Sequence, residues 1–355
     1  MERAYRQKTT RFILLATLSA IVLCVGYSSQ TVEHLYSDRL YLFTSIVQRF
    51  ISSLLPFALG DFLYLLLIIY ILKSIIDFAK RLFRKSLKLP DRVNIPLQVI
   101  NFSLILYLTF KILWGLNYSR PPIAKQLGIE NEKYNTEQLV SLGQFFISKL
   151  NNLQNVKRTK FSVDQLSKIA SSSYADLEKE NPIFEYHIAS VKPVLNSWVI
   201  TKIGIEGYYN PLSGEANINM RLPDVALPFV SCHEIAHQLG IGREDEANLI
   251  GYLAAINSTN QYFQYSAAYA MLKSILFEIR IKSPEDYDKL YATINKTTIR
   301  DFEVDRDFWR KYNNEMFGYL DIAFDRFLKL NNQSKGTDSY QDIVLWLYNI
   351  HKKDL

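Results

Sequence analysis

The chain contains few of the residues that form cross-links and metal sites. It has two cysteines and five histidines among 355 residues. Cys24 lies in a hydrophobic run and Cys232 lies beside the polar motif described below, so we expect no disulfide between them. The cysteine content does not indicate a redox compartment. Because histidine is scarce, two histidines at the spacing of metal ligands would be a specific signal.

A pattern suited to nucleic-acid binding is also absent. The formal net charge is +6, but much of the excess lysine and arginine flanks apolar segments, as it does in membrane proteins. No stripe of basic residues is interleaved with aromatics. We therefore expect a lipid bilayer as a partner of the chain, and no nucleic acid.

Apolar residues accumulate in the first third of the chain. They predict membrane helices at about residues 12–28, 54–76 and 95–114, since each run approaches the ~20 residues that a bilayer core requires. A signal peptide is the alternative for the first run, but no A-x-A-like cleavage site follows it. We expect a membrane region over residues 1–120 and a second domain over residues 123–355.

The distribution of basic residues predicts an orientation. The segment KSIIDFAKRLFRKSLKLPDR, between the second and third runs, is rich in lysine and arginine. The positive-inside rule places this segment and the N-terminus in the cytoplasm, which leaves residues 123–355 on the outer side. Ser37 to Ser53 has the pattern of an amphipathic helix at the outer interface. A fourth crossing is the alternative there, and Arg49 argues against it.

Three residues near the ends of the apolar runs carry expectations about their position. Asp61 is costly inside a bilayer, so we expect it near the outer interface or facing other helices. Trp114 and Tyr118 are placed like an aromatic belt at the end of the third helix. Simple packing explains these two aromatics equally well.

Residues 123–355 have mainly helical patterning. Apolar residues recur at three- and four-residue spacing from Asn135, and Ser162 begins a segment that resembles a capping box. After Asn181, β-branched and aromatic residues broken by glycine and proline predict a small sheet, in KPVLNSWVI and IGIEGYYNPLSGEANINM.

The segment SCHEIAHQLGIGREDEANLIG contains an HExxH pentad. Residues four apart lie on one face of a helix, so His233 and His237 can offer two imidazole nitrogens to one tetrahedral Zn2+ ion. Glu234 then falls beside the metal, where it can take a proton from a water whose pKa the metal lowers. The pattern predicts hydrolytic chemistry of the metallopeptidase type. The alternative is an accidental histidine pair in a buried helix.

A third ligand is expected in the acidic stretch after the pentad, because a catalytic zinc usually has three protein ligands. Gly240 and Gly242 permit a sharp turn that brings this stretch back toward the metal. We expect Glu244 to be the ligand, since Asn248 lies one turn further on the same face and can orient a ligating histidine. Glu246 is the substitute, and a solvated acidic cap is the remaining alternative.

Other residues around the pentad carry expectations as well. Ser231 is a plausible N-cap of the pentad helix. The strand containing Ala216 to Asn219 could bind extended substrate backbone as an edge strand, or be a structural hairpin. Tyr208, Tyr209 and Tyr340 are candidates for stabilising an oxyanion.

The pentad and the residues after it resemble known zinc peptidases. HExxH followed by E-x-x-A-N is similar to the gluzincin pattern HExxH followed by E-x-x-A-D of the membrane-bound CAAX-protease and heat-shock-protease families, in which the first glutamate is the third zinc ligand. In this chain Asn248 replaces the aspartate, and only six residues separate His237 from Glu244. The short gap resembles the metzincin turn, but Arg243 stands where a metzincin has histidine.

A closer resemblance covers nearly the full length of the chain. In order, LPFALGDFLYLL, WGLNYSRPP, GYYNPLSGEANIN, PFVSCHEIAHQLGIGREDEAN and GTDSYQDIV resemble segments of an uncharacterised family of bacterial membrane proteins. Its members have three N-terminal helices and a domain with HExxH. The resemblance implies a multi-pass protein of the bacterial inner membrane with a metallopeptidase site, and it implies no particular substrate.

These patterns together predict an α+β fold, mainly α, in which a three-helix transmembrane region precedes a zincin-like helical domain with a small β-sheet. The expected function is membrane-anchored, zinc-dependent hydrolysis of a peptide or protein. His233, His237 and Glu244 would hold the ion, and Glu234 would deprotonate water. One alternative is a membrane-anchored binding or signalling protein with a closed structural site, to which Cys232 could add a fourth ligand. Another is a structural envelope protein without metal.

Overall fold

The computed structural model describes residues 2–312, 315–331 and 342–355. Over these residues the chain is mainly helical, with one three-stranded sheet and three long apolar helices near the N-terminus. This confirms the predicted class, α+β and mainly α with three N-terminal membrane helices. The helices are α1 (Glu2–Gly26), α2 (Ser29–Thr31), α3 (Leu42–Ser53), α4 (Leu59–Phe83), α5 (Asp91–Leu113), α6 (Ile123–Gln126), α7 (Thr136–Asn152), α8 (Val163–Glu178), α9 (Ser197–Lys202), α10 (Leu227–Gln238), α11 (Glu244–Ile256), α12 (Gln261–Lys282), α13 (Pro284–Tyr291), α14 (Lys296–Tyr312), α15 (Glu315–Leu330) and α16 (Asp342–His351).

The three apolar helices α1, α4 and α5 are long and apolar enough to cross a membrane, and their sides are largely exposed. Their ends differ from the predicted ones, because hydropathy marks the part that fits a bilayer and not the ends of a helix. Helix α1 continues back through the polar N-terminus to Glu2. Helix α4 begins after a turn that contains Pro56, and it extends to Phe83, so half of the basic segment is helical. Helix α5 contains Pro96.

A π-helical segment, Val32–Tyr41, and helix α3 connect the first two apolar helices. The polar side of α3 is buried. Arg49 is only 1% exposed and lies 5.1 Å over the ring of Tyr186, and the hydroxyl of Ser52 is 2.7 Å from that of Ser190. The apolar side is exposed, which confirms an amphipathic helix; its exposed residues include Leu42, Phe43, Val47, Phe50 and Ile51. Its placement at a membrane interface remains a prediction.

Helix α12 lies at the centre of the helices that follow the three apolar ones. It is mostly buried and contacts α7, α10 and α11. Helices α7 and α8 both begin with a capping box, formed by Asn135 with Gln138 and by Ser162 with Gln165. The predicted capping box at Ser162 is therefore confirmed. Helix α16 packs against α7, α11 and α12. These contacts build the support on which the HExxH helix lies.

The sheet has the strand order β1-β3-β2, with β1 (Val191–Pro193), β2 (Gly207–Asn210) and β3 (Glu215–Ile218). Strand β3 is central: it pairs in parallel with β1 and antiparallel with β2. The interpretation of Ala216 to Asn219 as a substrate-binding edge strand is wrong, because β3 is paired on both sides. Among the described residues β1 and β2 each pair with β3 alone, so both are edge strands.

The second half of the predicted strand segment KPVLNSWVI is helical. Only its first residues belong to β1, and Ser197–Lys202 forms α9. The side chain of Asn196 accepts a hydrogen bond from the backbone N–H of Val199, which caps the first turn of α9. This cap favours a helix over the extended conformation that the β-branched residues of the segment would otherwise prefer.

The N-terminal end of α4 is fixed to the sheet by a buried carboxylate. Glu215 is 0% exposed and accepts hydrogen bonds from the backbone N–H groups of Leu59 (2.9 Å) and Gly60 (2.8 Å). These N–H groups have no partner inside the helix, and the helix dipole favours a negative charge at this end. Asp61, in the same turn, accepts hydrogen bonds from the N–H of Leu195 and the hydroxyl of Tyr208. Asp61 thus lies at the sheet end of the apolar helix.

Candidate metal site

The HExxH pentad lies on α10. Pro228 occupies the first turn of this helix, a position where its missing N–H costs nothing. The interpretation of Ser231 as the N-cap is wrong, because Ser231 lies inside the helix and donates its hydroxyl to the carbonyl of Pro228 at 2.7 Å. As predicted, the helix ends at a glycine turn, since Gly240 has a φ of +79°.

Helix α11 crosses α10 closely at Gly251. A Cβ atom placed on Gly251 would lie 2.9 Å from both the Cα and the N atom of His233. These are backbone atoms that cannot rotate aside, so only glycine permits this approach. The close crossing brings Glu244, at the start of α11, to the two histidines of α10.

Three predicted ligands converge. The Oε2 atom of Glu244 lies 3.4 Å from Nε2 of His233 and 3.7 Å from Nε2 of His237. The two imidazole rings are perpendicular, with centroids 4.8 Å apart. Glu246 points elsewhere, since its Oε1 accepts a hydrogen bond from the N–H of Ile123 at 2.9 Å. The structure therefore brings Glu244, and not Glu246, to the histidines.

The spacing of these atoms fits a metal ion. Ligands about 2.1 Å from a tetrahedral zinc lie about 3.4 Å from one another, whereas an imidazole and a carboxylate in direct contact approach to about 2.8 Å. The observed separations from Glu244, 3.4 and 3.7 Å, are closer to the first case. Nδ1 of His237 lies 2.7 Å from the carbonyl of Ile241, which fixes the ring and leaves Nε2 available as a ligand. Two imidazoles and a carboxylate are a donor set that suits zinc.

Burial and charge shift the pKa values at the cluster. Burial lowers the pKa of His233, against the effect of the Glu244 carboxylate and the Asn248 amide. Burial also acts to lower the pKa of His237, but the Glu244 carboxylate outweighs it and raises that pKa to about 9. Burial acts to raise the pKa of Glu244, and the two imidazoles hold it well below its usual value. Glu244 is thus a buried carboxylate that stays ionised beside the two histidines.

Glu234 differs from Glu244 in its surroundings. Its side chain is buried, Oε2 has no hydrogen-bond partner among the described residues, and burial raises its pKa to about 8. The carboxylate packs against Gly207, where a Cβ atom would lie 2.5 Å from Oε1. The bare backbone of β2 therefore makes room for Glu234 beside the cluster.

A cavity of about 850 Å³ opens onto these residues. It is within the size range of small-ligand sites, which is roughly 300–1,000 Å³. Helices α10 and α11 and strand β2 form one side of it, and α4, α5 and α15 form the other. Its lining includes His233, Glu234, His237, Glu244, Asn248, Glu206, Gly207, Tyr208, Tyr209, Tyr64, Phe110, Trp114, Tyr118 and Phe327.

Trp114 and Tyr118 belong to the support of the site. They are 5% and 3% exposed, and Trp114 stacks on Tyr209 at 5.1 Å and donates its indole N–H to the carbonyl of His237. The aromatic-belt interpretation is therefore wrong and the packing alternative is correct. A ring that packs against the site and a ring that faces lipid headgroups have the same sequence signature.

Further supporting residues were missed at the level of sequence. The hydroxyl of Tyr41 is 3.0 Å from the carbonyl of Gln238, and the guanidinium of Arg120 donates to the carbonyls of Leu239 and Gly240. Glu33 forms a two-pronged ion pair with Arg120 at 2.7 Å. Arg120 lies in WGLNYSRPP, which resembles a segment of the uncharacterised family. That resemblance did not indicate that the residue supports the site.

The remaining candidate residues lie apart from the cluster. The hydroxyl of Tyr208 donates to Asp61, and that of Tyr209 lies 3.4 Å from the hydroxyl of Tyr41, although both rings line the cavity. Tyr340 lies outside the described residues. The thiol of Cys232 is buried and does not belong to the group of possible ligands found among the described residues. Both cysteines are free, as expected.

Three helices are long and apolar enough to cross a membrane, which indicates a membrane protein, and the described residues include a buried His-His-Glu cluster beside a cavity. The chain belongs to the family described as Protein of unknown function (DUF3810), whose model matches residues 36–348. This confirms the expected membership in an uncharacterised family. No curated protein and no solved structure matches the chain.

Proposed function

We propose that the chain is a membrane-anchored, zinc-dependent peptide hydrolase. The convergence of His233, His237 and Glu244 at metal-ligand spacing, with Glu234 buried next to them, is the observation that carries the proposal. Three protein ligands leave one tetrahedral position for water or substrate, as in catalytic zinc sites. A closed structural site would need a fourth protein ligand, and the cluster of described residues offers three.

Each residue of the cluster has a role in this proposal. The zinc ion, when bound, supplies a Lewis acid that polarises the scissile carbonyl and acidifies water. Glu234 accepts a proton from the attacking water and returns it to the leaving amine. Its Oε2 atom has no other hydrogen-bond partner among the described residues, so it is available to take and give a proton. The missing side chain of Gly207 leaves room for this carboxylate.

Strand β2 is the proposed support for substrate backbone. The N–H of Asn219 donates to the carbonyl of Glu206, so these residues form a hydrogen-bonded pair of the antiparallel ladder. Because such pairs alternate, the N–H and C=O groups of Gly207 and Tyr209 point away from β3, toward the free edge. An extended peptide that paired with this edge would pass beside Glu234.

The proposed location is the bacterial inner membrane, with residues 123–355 on the outer side. The basic residues at the far end of α4 and in the following turn support this orientation, because Lys and Arg are enriched on the cytoplasmic side. The family membership supplies no location or substrate.

Metal analysis of the purified full-length protein tests the ligand set. We expect about one zinc per chain in the wild type and in Glu246→Gln, and a large loss in Glu244→Gln. The two glutamates are two residues apart on one helix, so Glu246→Gln is a matched control. Full retention of zinc by Glu244→Gln would contradict the ligand assignment.

Hydrolysis of a degenerate peptide library tests the chemistry. Glu234→Gln has nearly the same shape and keeps all three ligands, so we expect it to bind zinc normally and to lose at least about 100-fold in rate, the scale of a general base. Equal cleavage by wild type and Glu234→Gln would end the proposal of an enzyme that works through Glu234.

A further inference from the structure

The cavity at the metal cluster is partly formed by the apolar helices. Tyr64, in the second turn of α4, and Phe110, one turn before the end of α5, both line it. Trp114, directly after α5, contributes a third aromatic ring. The candidate site therefore lies at the junction between the helical domain and the spanning helices.

The length of the helices indicates how deep this junction lies. Asp61 is costly inside a bilayer, and its hydrogen bonds to the sheet end place it at the outer surface. About 20 helical residues at 1.5 Å each cover the ~30 Å apolar core of a bilayer. The same count forward from Arg92 in α5 reaches Ile112. The aromatic rings of α4 and α5 in the cavity thus lie at or just below the bilayer surface.

An exposed apolar patch lies at the same level. Leu195, Trp198 and Val199 are 59%, 55% and 41% exposed. The N–H of Leu195 binds Asp61, so the patch lies beside the start of α4. Exposed apolar and aromatic side chains next to a spanning helix are stable in the lipid interface. Directly after α9, the chain enters the cavity lining at residues 203–207.

From this placement we infer that the substrate is a polypeptide segment next to its own membrane anchor, which enters the cavity from the bilayer surface and extends along β2. The inference rests on the proposed function and names the substrate class of the same site. A cavity of about 850 Å³ is about 12 Å across, and an extended chain rises about 3.3 Å per residue. About four extended residues therefore span the cavity, so cleavage should fall within about four residues of the anchor.

Cleavage mapping on vesicles tests this directly. The zinc-loaded full-length protein, in vesicles of phosphatidylethanolamine and phosphatidylglycerol, receives long degenerate peptides that carry a palmitoyl group at the N-terminus, at the C-terminus or at neither end. Mass spectrometry locates the cuts. We expect that, for at least one anchored library, the cuts cluster within about four residues of the palmitoyl group. Cuts spread evenly along both anchored libraries would overturn the inference and leave the proposed hydrolase intact. No cleavage of any library would overturn both.

Lipid contact of the patch can be tested without activity. Trp198 is 55% exposed and Trp114 is 5% exposed. In vesicles containing lipids brominated near the headgroup, we expect the lipids to quench a clear fraction of the tryptophan fluorescence of the wild type. The quenched fraction should be much smaller in Trp198→Phe, a variant in which the patch stays apolar. The same fractional quenching in both proteins would overturn the placement of the cavity opening at the bilayer surface.

Discussion

Replacement of Gly251 by alanine should separate the metal ligands. The added Cβ would lie 2.9 Å from backbone atoms of His233, and ordinary contact begins at 3.4 Å, so α11 must move about 0.5 Å away from α10. Glu244 would move with α11, and its 3.4 Å separation from Nε2 of His233 would grow. Metal–ligand distances tolerate about 0.2 Å. We expect a fall of about 10- to 100-fold in zinc affinity, the size seen when residues that orient ligands are changed.

The stability of this variant should change less than its affinity. Overpacking costs about 1–3 kcal/mol, while alanine gains up to about 1 kcal/mol over glycine in a helix. The net cost is then about 0–2 kcal/mol. Competition with a chromophoric chelator measures the affinity, and denaturant unfolding of the metal-free protein measures the stability.

Gly143→Ala is the matched control. Gly143 also lies inside a helix, but the nearest obstacles to a Cβ are the ends of the flexible side chains of Ile279 and Leu290. We expect Gly143→Ala to leave zinc affinity unchanged. Unchanged affinity in Gly251→Ala, or equal losses in both variants, would refute the argument that the close crossing sets the ligand spacing.

Three further predictions concern other parts of the structure. Gly207→Ala should displace the Glu234 carboxylate, so we expect unchanged zinc content but at least about tenfold slower peptide cleavage. Glu215→Ala should remove two hydrogen bonds to the start of α4 and destabilise the protein by about 2–4 kcal/mol, measured by unfolding in detergent. Burial lowers the pKa of His351 from 6.5 in the unfolded chain to about 4 in the folded protein. The folded protein should therefore lose stability as the pH falls from 6.5 toward 4, because the unfolded chain takes up a proton first. We expect the loss of stability over this pH range to be smaller in His351→Gln.

Each of these predictions has a clear contrary result. Loss of zinc in Gly207→Ala would mean that the strand supports the ligands and not the base. Wild-type stability in Glu215→Ala would mean that the carboxylate does not hold the apolar helix. The same fall in stability with pH in the wild type and in His351→Gln would assign the acid sensitivity to other groups.

The sequence was sufficient to predict the parts of the site that depend on local spacing. His233 and His237 share a helix face, and the glycine after them marks a turn, so their geometry follows from the chain itself. The sequence also favoured Glu244 over Glu246 as the third ligand, because Asn248 lies one turn after Glu244 on the same helix face. The close crossing at Gly251 that brings α11 to α10 was not predictable, because it depends on how two helices meet.

Predictions from sequence were less accurate for features that depend on contacts between distant segments of the chain. We expected strand β3 at an edge of the sheet, but Val191–Pro193 pairs with β3, so β3 is the central strand. The order of strands in a sheet cannot be predicted from the pattern of a single strand. Ser231 was considered a cap, although Pro228 is a common first-turn residue and marks the start of the helix better. The sequence could not distinguish a buried Trp114 from one at the lipid interface, because tryptophan is common in both environments.

The C-terminal end of the HExxH helix depends on residues that precede position 121. Tyr41, Trp114 and Arg120 donate hydrogen bonds to the carbonyl groups of the second histidine and the three residues after it. Residues 123–355 contain every proposed ligand, yet a fragment of that range would leave these carbonyls without their partners. The centre should therefore be studied only in the intact chain, and inhibitors selected against a soluble fragment would encounter a different surface from the one in the cell.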